Sequence, residues 1–372
     1  MNPHVLHVSG NSRERGRQYG EGLRAAILQR DARWKEHIGI FSGIDPNEFI
    51  AAHLAGTNYL PAVERWTPGL LDEVRGMAEG AGLSFERAFA AQLMDEEWLY
   101  WEAFRGKHHC SSLASAAPTV DFALAAQNMD LPAWMNGSQT ILHLEDPATG
   151  LESIVLTVAG MIGLCGMNNA GLAVVVNTLS ELPSATDGLP VAFVSRGLLS
   201  HKSLADARRF LYEVNHAAGQ NYILAGRLSV EDHECSAEGK NRFRPAQAVG
   251  EAVWHTNHSL AGGHVVHTQE LAATGGSANS HARMDTMNAR LGATGGAWDM
   301  ATAIGALCNR DHADYPISRR LEGGVSDHGF TFASVIWELA PALRAHVAAG
   351  PPHDTAYQTF GFPAGLTLRA AE

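Results

Sequence analysis

The character of this chain changes at one point, Cys110, where helix-forming sequence stops and strand-forming sequence begins. Upstream, Arg13 to Ile38 carries apolar residues at three- and four-residue spacings, the pattern of one buried helix side. Thr67-Pro68 opens a segment running to Gly82, with proline in the first turn and glycine at the stop. Ser84 opens another amphipathic stretch that continues through Phe104. Downstream, short apolar runs lie between Gly, Pro and Asn turns. Residues 122–128, 140–145, 152–158, 171–177, 221–226 and 252–258 read as strands. Helical patterns interrupt them at Val191 to Leu199 and Leu204 to Val214. A last helix is expected over Phe332 to Ala349, stopped by Gly350-Pro351-Pro352. That order of elements implies sheets covered by helices.

Composition narrows the classes. The chain has 372 residues, 45% hydrophobic and 18% charged, enough to bury a large core. No run of about 18 apolar residues is present, so no membrane span is expected. Met1 to Gly20 is polar and Arg-rich with no apolar stretch, which predicts a cytoplasmic protein without a secretory signal. The net charge is −12 with scattered basic residues, which argues against a nucleic-acid partner. Cys110, Cys165, Cys235 and Cys308 are far apart and form no CxxC pair, so neither a disulfide framework nor structural zinc is expected. Cys165, Cys235 and Cys308 read as small core residues. His255 and His258 are three apart, as are His264 and His267, but on a strand that spacing points the rings to opposite faces. With no HExxH motif either, metal catalysis is disfavoured, and no cofactor is expected.

Three short segments stand out together: Cys110 at the change of character, Gln127-Asn128-Met129-Asp130 at an expected strand end, and His255-Thr256-Asn257-His258 at another. Further landmarks keep order with them. They are residues 10–23 and 73–89 upstream, then Cys110-Ser111-Ser112, residues 166–179 and 221–226, residues 316–319 and residues 331–339. In this order and spacing the chain resembles the acyl-coenzyme A:6-aminopenicillanic acid acyltransferase family of N-terminal-nucleophile hydrolases, relatives of choloylglycine hydrolases and acid ceramidase. The resemblance implies an α+β fold, a four-layer α-β-β-α sandwich with two antiparallel sheets. It also implies self-cleavage between His109 and Cys110. Residues 1–109 would form a helical chain wrapped on the core, and residues 110–372 the catalytic chain, the two staying associated.

The chemistry explains the residue types. A free thiol has a pKa of about 8.5 and attacks poorly until ionised. An internal cysteine has no adjacent amine, but a chain-terminal one has its own α-amino group, pKa roughly 7.7–8.0, as base. By resemblance, Asp130 orients that amino group and Asn257 donates its amide to the oxyanion. Arg319 supports Asp130, Asn177 supplies a second oxyanion amide, and Arg283 matches a further active-site arginine. Two positions depart from the relatives. His109 stands where the penicillin acyltransferase has glycine. Gln127 stands where bile-salt hydrolases and acid ceramidase carry arginine, which points to the acyltransferase branch.

The expected activity is hydrolysis of a small N-acyl amide or peptide-like bond through an acyl-Cys110 intermediate. The alternatives are transfer of that acyl group to an amine, and an uncleaved, non-enzymatic binding protein. The expected partner is a small amide or acyl substrate; a homo-oligomer is compatible with this chemistry.

Overall fold

The computed structural model describes residues 2–100, 109–117, 122–273, 275–294, 298–321, 329–362 and 367–368. Strand β1 (His4–Ser9) leads into helices α1 (Ser12–Gly22), α2 (Arg24–Ser42), α3 (Pro46–Ala55) and α4 (Leu60–Trp66). Helices α5 (Pro68–Ala81), α6 (Phe85–Ala90) and α7 (Met94–Tyr100) follow. Strands β2 (His109–Ala116), β3 (Ala123–Pro132), β4 (Gln139–Asp146), β5 (Leu151–Val158), β6 (Cys165–Asn168) and β7 (Ala173–Thr178) come next. Then come α8 (Val191–Leu198), α9 (Leu204–Glu213), β8 (Gln220–Ala225), β9 (Val230–Cys235), β10 (Lys240–Phe243) and β11 (Glu251–His255). The chain closes with α10 (Thr268–Ala273), α11 (Gly276–Leu291), α12 (Met300–Leu307), β12 (Gly329–Ala340), β13 (Arg344–Ala348), β14 (Gln358–Gly361) and β15 (Thr367–Leu368).

Local chemistry explains the helix ends. Asn11 and Glu14 make a reciprocal capping box at the start of α1. Pro68 begins α5, and Gly82 ends it at φ 76°, a left-handed position that glycine takes without steric cost. The Ser84 hydroxyl caps α6 by accepting the Arg87 N–H. The Arg13 to Ile38 stretch divides into two helices at Leu23. Helices α1 and α5 touch backbone to backbone. A Cβ on Gly16 would lie 1.9 Å from the Glu73 carbonyl oxygen, and one on Gly76 would lie 2.2 Å from that of Arg13. A buried Arg196–Glu73 pair, at 2.7 and 3.0 Å, ties α8 to α5.

The strands form two sheets, in the orders β1-β4-β5-β6-β7-β8-β9-β10 and β11-β2-β3-β12-β13-β14-β15. They stack face to face, with β2 and β3 against β7 and β8. Helices α8 and α9 cover the first sheet, while α11 and α12 cover the second. This is the expected α-β-β-α sandwich. One pairing departs from an all-antiparallel scheme: β1 runs parallel to β4, from His4 opposite Thr140 to Ser9 opposite Glu145. The N-terminal segment thereby shares a sheet with the later chain. Among the described residues, no helix is long and apolar enough to cross a membrane.

The sequence reading errs at the C-terminal end. Residues 332–349, expected as a helix, form β12 and β13. Strand β12 is buried along its whole length because the other sheet covers one face and helices cover the other. Such a strand shows no polar alternation and reads as one apolar run, which periodicity cannot distinguish from a buried helix. Helices α10 to α12, which the sequence reading lacks, follow β11, and α11 and α12 form the layer over the second sheet. Part of the helix expected through Phe104 lies outside the described residues.

Candidate active site

Cys110 is the second residue of β2. Antiparallel pairing sets His109 opposite Asp130 and Cys110 opposite Met129. Asp130 lies within β3, not at its end as expected, and pairs with Thr331 on its other side. Because neighbouring side chains on a strand alternate in direction, Cys110 and Ser112 face the other sheet, where Ser112 donates to Asn177 of β7. Ser111 faces the helix layer, where it accepts from Arg283 of α11 at 2.9 Å.

Asn257 follows β11 and reaches the Cys110 backbone. The Cys110 N–H donates to Asn257 Oδ1 at 2.6 Å, and Arg283 donates to the same oxygen at 2.9 Å. Two donors on one atom identify it as the amide oxygen. The Asn257 Nδ2 donates to the Thr178 carbonyl at 3.0 Å. Arg283 is fully buried; it also donates to the Cys110 carbonyl and is steadied by Asn279 at 2.7 Å. The backbone of Cys110 is therefore held on both its N–H and its C=O.

Asp130 accepts from the Thr331 hydroxyl at 2.7 Å, and that hydroxyl accepts from the Arg319 backbone N–H at 2.9 Å. Burial pushes the Asp130 carboxyl up to about 6, against the charges of Arg319 and Arg283 and the Thr331 hydrogen bond. The half-buried Arg319 thus acts on Asp130 through its charge and through a backbone relay. Burial and the Asp130 charge push the Cys110 thiol up to about 12, opposed by hydrogen bonds from the Asp130 backbone and Gln127 and by the charge of Arg283. In the intact chain that thiol is neutral at ordinary pH and needs a base. Burial lowers Arg283 to about 10, while Asp130 and Cys110 pull it back up.

Asn177 is fully buried, accepting from Ser112 and from Asn221 at 3.2 Å and donating to the His255 carbonyl at 3.4 Å. One of its amide hydrogens is thereby engaged between the sheets. His109, Thr178, Glu181, Asn257, His258 and Ser277 line a cleft at the end of β2. The sequence reading missed Thr331, Thr178 and Ser280, whose hydroxyl accepts the Asn257 N–H at 2.7 Å. No local signal marks them, because each partner is distant in the chain. His255 bonds to Glu234, His258 to Ser280 and His264 to Glu238. Among the described residues, no three His, Cys, Asp or Glu side chains converge as a metal site requires.

The last helix before the site carries a buried acidic run, Asp95-Glu96-Glu97. Asp95 accepts from Thr178 at 2.7 Å, and Glu96 accepts the Val191 N–H at 2.8 Å. Burial raises Asp95 to about 6 and Glu97 to about 7, and burial with the Asp95 charge raises Glu96 to about 8. The folded chain therefore binds these protons up to higher pH than the unfolded chain does. Stability is greatest at low pH within this range and falls as pH rises from the ordinary carboxyl range through those values. Glu96→Gln keeps an acceptor for Val191 and removes the charge. Its melting temperature should fall less than that of the native chain between about pH 5.5 and about pH 8.5. Parallel declines in the two proteins would refute this assignment of Glu96.

Two face-to-face sheets between helix layers make an α-β-β-α sandwich, with Cys110 the second residue of a strand inside one sheet. The chain belongs to the acyl-coenzyme A:6-aminopenicillanic acid acyl-transferase family, whose model matches residues 119–350. That stretch begins after Cys110 and contains Asp130, Asn177, Asn257, Arg283 and Arg319. The chain is 25% identical over 297 residues to the 40 kDa form of the acyl-coenzyme A:6-aminopenicillanic-acid-acyltransferase of Emericella nidulans, covering 78% of this chain and 77% of that one. Among solved structures it is similar to a variant of the conjugated bile acid hydrolase of Clostridium perfringens. There the TM-score is 0.43 at 11% identity, over 71% of this chain and 100% of that one. It is also similar to the penicillin V acylase of Agrobacterium tumefaciens, with a TM-score of 0.38 at 13% identity, over 64% and 83%.

Proposed function

We propose that this chain is a self-processing cysteine enzyme that hydrolyses a small N-acyl amide or peptide-like bond. The observation that carries the reading is the grip on Cys110: its N–H on Asn257 Oδ1 at 2.6 Å and its carbonyl on buried Arg283. An ordinary strand residue would not call for a buried arginine and an asparagine from distant elements on its backbone. In self-cleavage the thiol adds to the His109 carbonyl and the C–N bond breaks. The amine of Cys110 leaves with a proton, and water then hydrolyses the thioester to free the thiol and a His109 carboxylate. Residues 1–109 and 110–372 become separate chains held by the shared sheet and core. The new amine keeps one hydrogen on Asn257 Oδ1, which turns its lone pair toward the neighbouring thiol. It is then the base that a thiol pushed up to about 12 requires.

In turnover the thiolate attacks the substrate carbonyl, the leaving amine takes the proton, and water releases the acid. One amide hydrogen of Asn257 goes to Thr178; the second serves the oxyanion, with the Asn177 amide hydrogen not given to His255 as a further donor. Arg319 and Arg283 hold Asp130 ionised, and Asp130 orients the amino group. The family supports a second reading, in which an amine resolves the acyl-enzyme. Adding 6-aminopenicillanic acid or another amine to an acyl-coenzyme A assay separates the two by the ratio of amide to free acid formed.

The purified protein should run as two chains on denaturing electrophoresis, the second beginning Cys110-Ser111-Ser112 by N-terminal sequencing. Mass spectrometry of the mature protein with a panel of N-acyl amides and thioesters should trap an acyl group on Cys110. Full activity from a single uncut chain would rule out self-processing.

A further inference from the structure

Asn257 lies on a turn after β11, and a turn alone does not hold an amide to a fraction of an ångström. Glu181 accepts the Ser259 N–H and Ser280 the Asn257 N–H, but the residue that bonds both flanks of this turn is Glu234 of β9, in the opposite sheet. Its side chain is 1% exposed. One carboxylate oxygen accepts from His255 Nε2 at 3.0 Å, from the Leu260 N–H, and from the Ala261 N–H at 3.1 Å. The other accepts from the Ser259 hydroxyl at 2.6 Å. The segment from His255 to Ala261, with Asn257 inside it, is thus gripped on both flanks by one buried group. We propose that Glu234 is a positioning residue: its carboxylate sets the turn that aims Asn257 at Cys110. This rests on the reading of Asn257 given above.

Electrostatics agree with the geometry. Asp232 and Glu234 raise His255 above its ordinary value despite burial. Burial works against the charge on Glu234, but His255, Ser259 and Leu260 hold its pKa below the usual carboxylate value. The same strand supplies an internal control. Glu231, also buried, points to the other face, accepting from Arg208 at 2.7 Å and bonding His233 at 3.1 Å. Among the described residues its hydrogen bonds and ion pairs go to Arg208, His233 and Arg242, not to the turn.

The test uses the self-cleaved enzyme with phenylacetyl-4-nitroanilide as probe, plus the rate of self-cleavage followed by mass spectrometry. Glu234→Asp is one methylene too short to keep all arms. It should lower kcat about tenfold or more with KM nearly unchanged, since small misplacements of a catalytic group carry such losses. Glu234→Gln keeps Oε1 for the three N–H groups and gives Ser259 Oγ a donor, so kcat should return to within about threefold of the native value. Glu231→Gln should shift the melting temperature and leave kcat alone.

Native kcat in Glu234→Asp, alongside a large loss in Asn257→Ala, would overturn the role of Glu234 and spare that of Asn257. Native kcat in Asn257→Ala would instead remove the oxyanion reading, and the Glu234 proposal with it. A glutamine variant as slow as the aspartate variant would also overturn the proposal, because charge and not the grip would then be what matters. If Glu234→Asp does not fold, Ser259→Ala removes a single arm. A several-fold lower kcat then supports the proposal, and an unchanged one overturns it.

Discussion

Cys110→Ala should yield one uncut chain of 372 residues with no measurable turnover. In the proposed mechanism this change removes self-cleavage and acyl transfer together, because both begin with the same thiol. The drop in kcat should be very large, roughly 10^6-fold where a nucleophile has been removed in other enzymes. Cys165→Ala, Cys235→Ala and Cys308→Ala should leave the chemistry intact, although emptying the buried Cys165 and Cys235 sites costs stability. Cys110→Ser should still cleave, slowly, since a hydroxyl can make the corresponding N→O shift. Electrophoresis reports cleavage and a progress curve reports turnover. Normal turnover by Cys110→Ala would disprove the nucleophile assignment.

Asn257→Ala, measured on fully cleaved protein, should lower kcat by roughly 100- to 1000-fold and change KM little. An oxyanion donor acts on charge that appears only in the transition state, so its loss does not weaken ground-state binding. The same side chain holds the Cys110 nitrogen, so self-cleavage should slow as well. A purely structural asparagine would behave differently. Its loss would lower stability by about 1 kcal/mol and leave the kcat of the folded fraction untouched. Asp130→Asn makes the complementary comparison. With its carboxyl pushed up to about 6, Asp130 protonates as pH falls through that value, and the charge facing Arg319, Arg283 and the new amine is lost. The native pH–rate profile should therefore fall on its acidic side near there. The asparagine variant, uncharged throughout, should shift that limb, because the α-amino group of Cys110 still titrates, and should run at a lower plateau.

Much of this protein was legible without coordinates, for a local reason. Caps, breakers and periodicity act over a few residues, so the Pro68 start, the Gly82 stop, the Ser84 cap and most strands could be read directly. The change of character at Cys110 marks the start of β2, and two residues the resemblance pointed to, Asn257 and Arg283, lie on the Cys110 backbone. Tertiary structure decided the rest. Only the covering of both its faces makes residues 329–340 a strand, since an apolar run between two layers carries no periodic mark. The hydrogen bonds that hold Cys110 join residues 147 and 173 positions apart, a separation at which local pattern carries no information. That Asn257 presents its oxygen to Cys110, that Asp130 sits inside a strand, and that Glu234 reaches across from the other sheet are results of packing. Each arises because burying a polar group requires a partner, and the fold, not the neighbouring sequence, decides which partner is within reach.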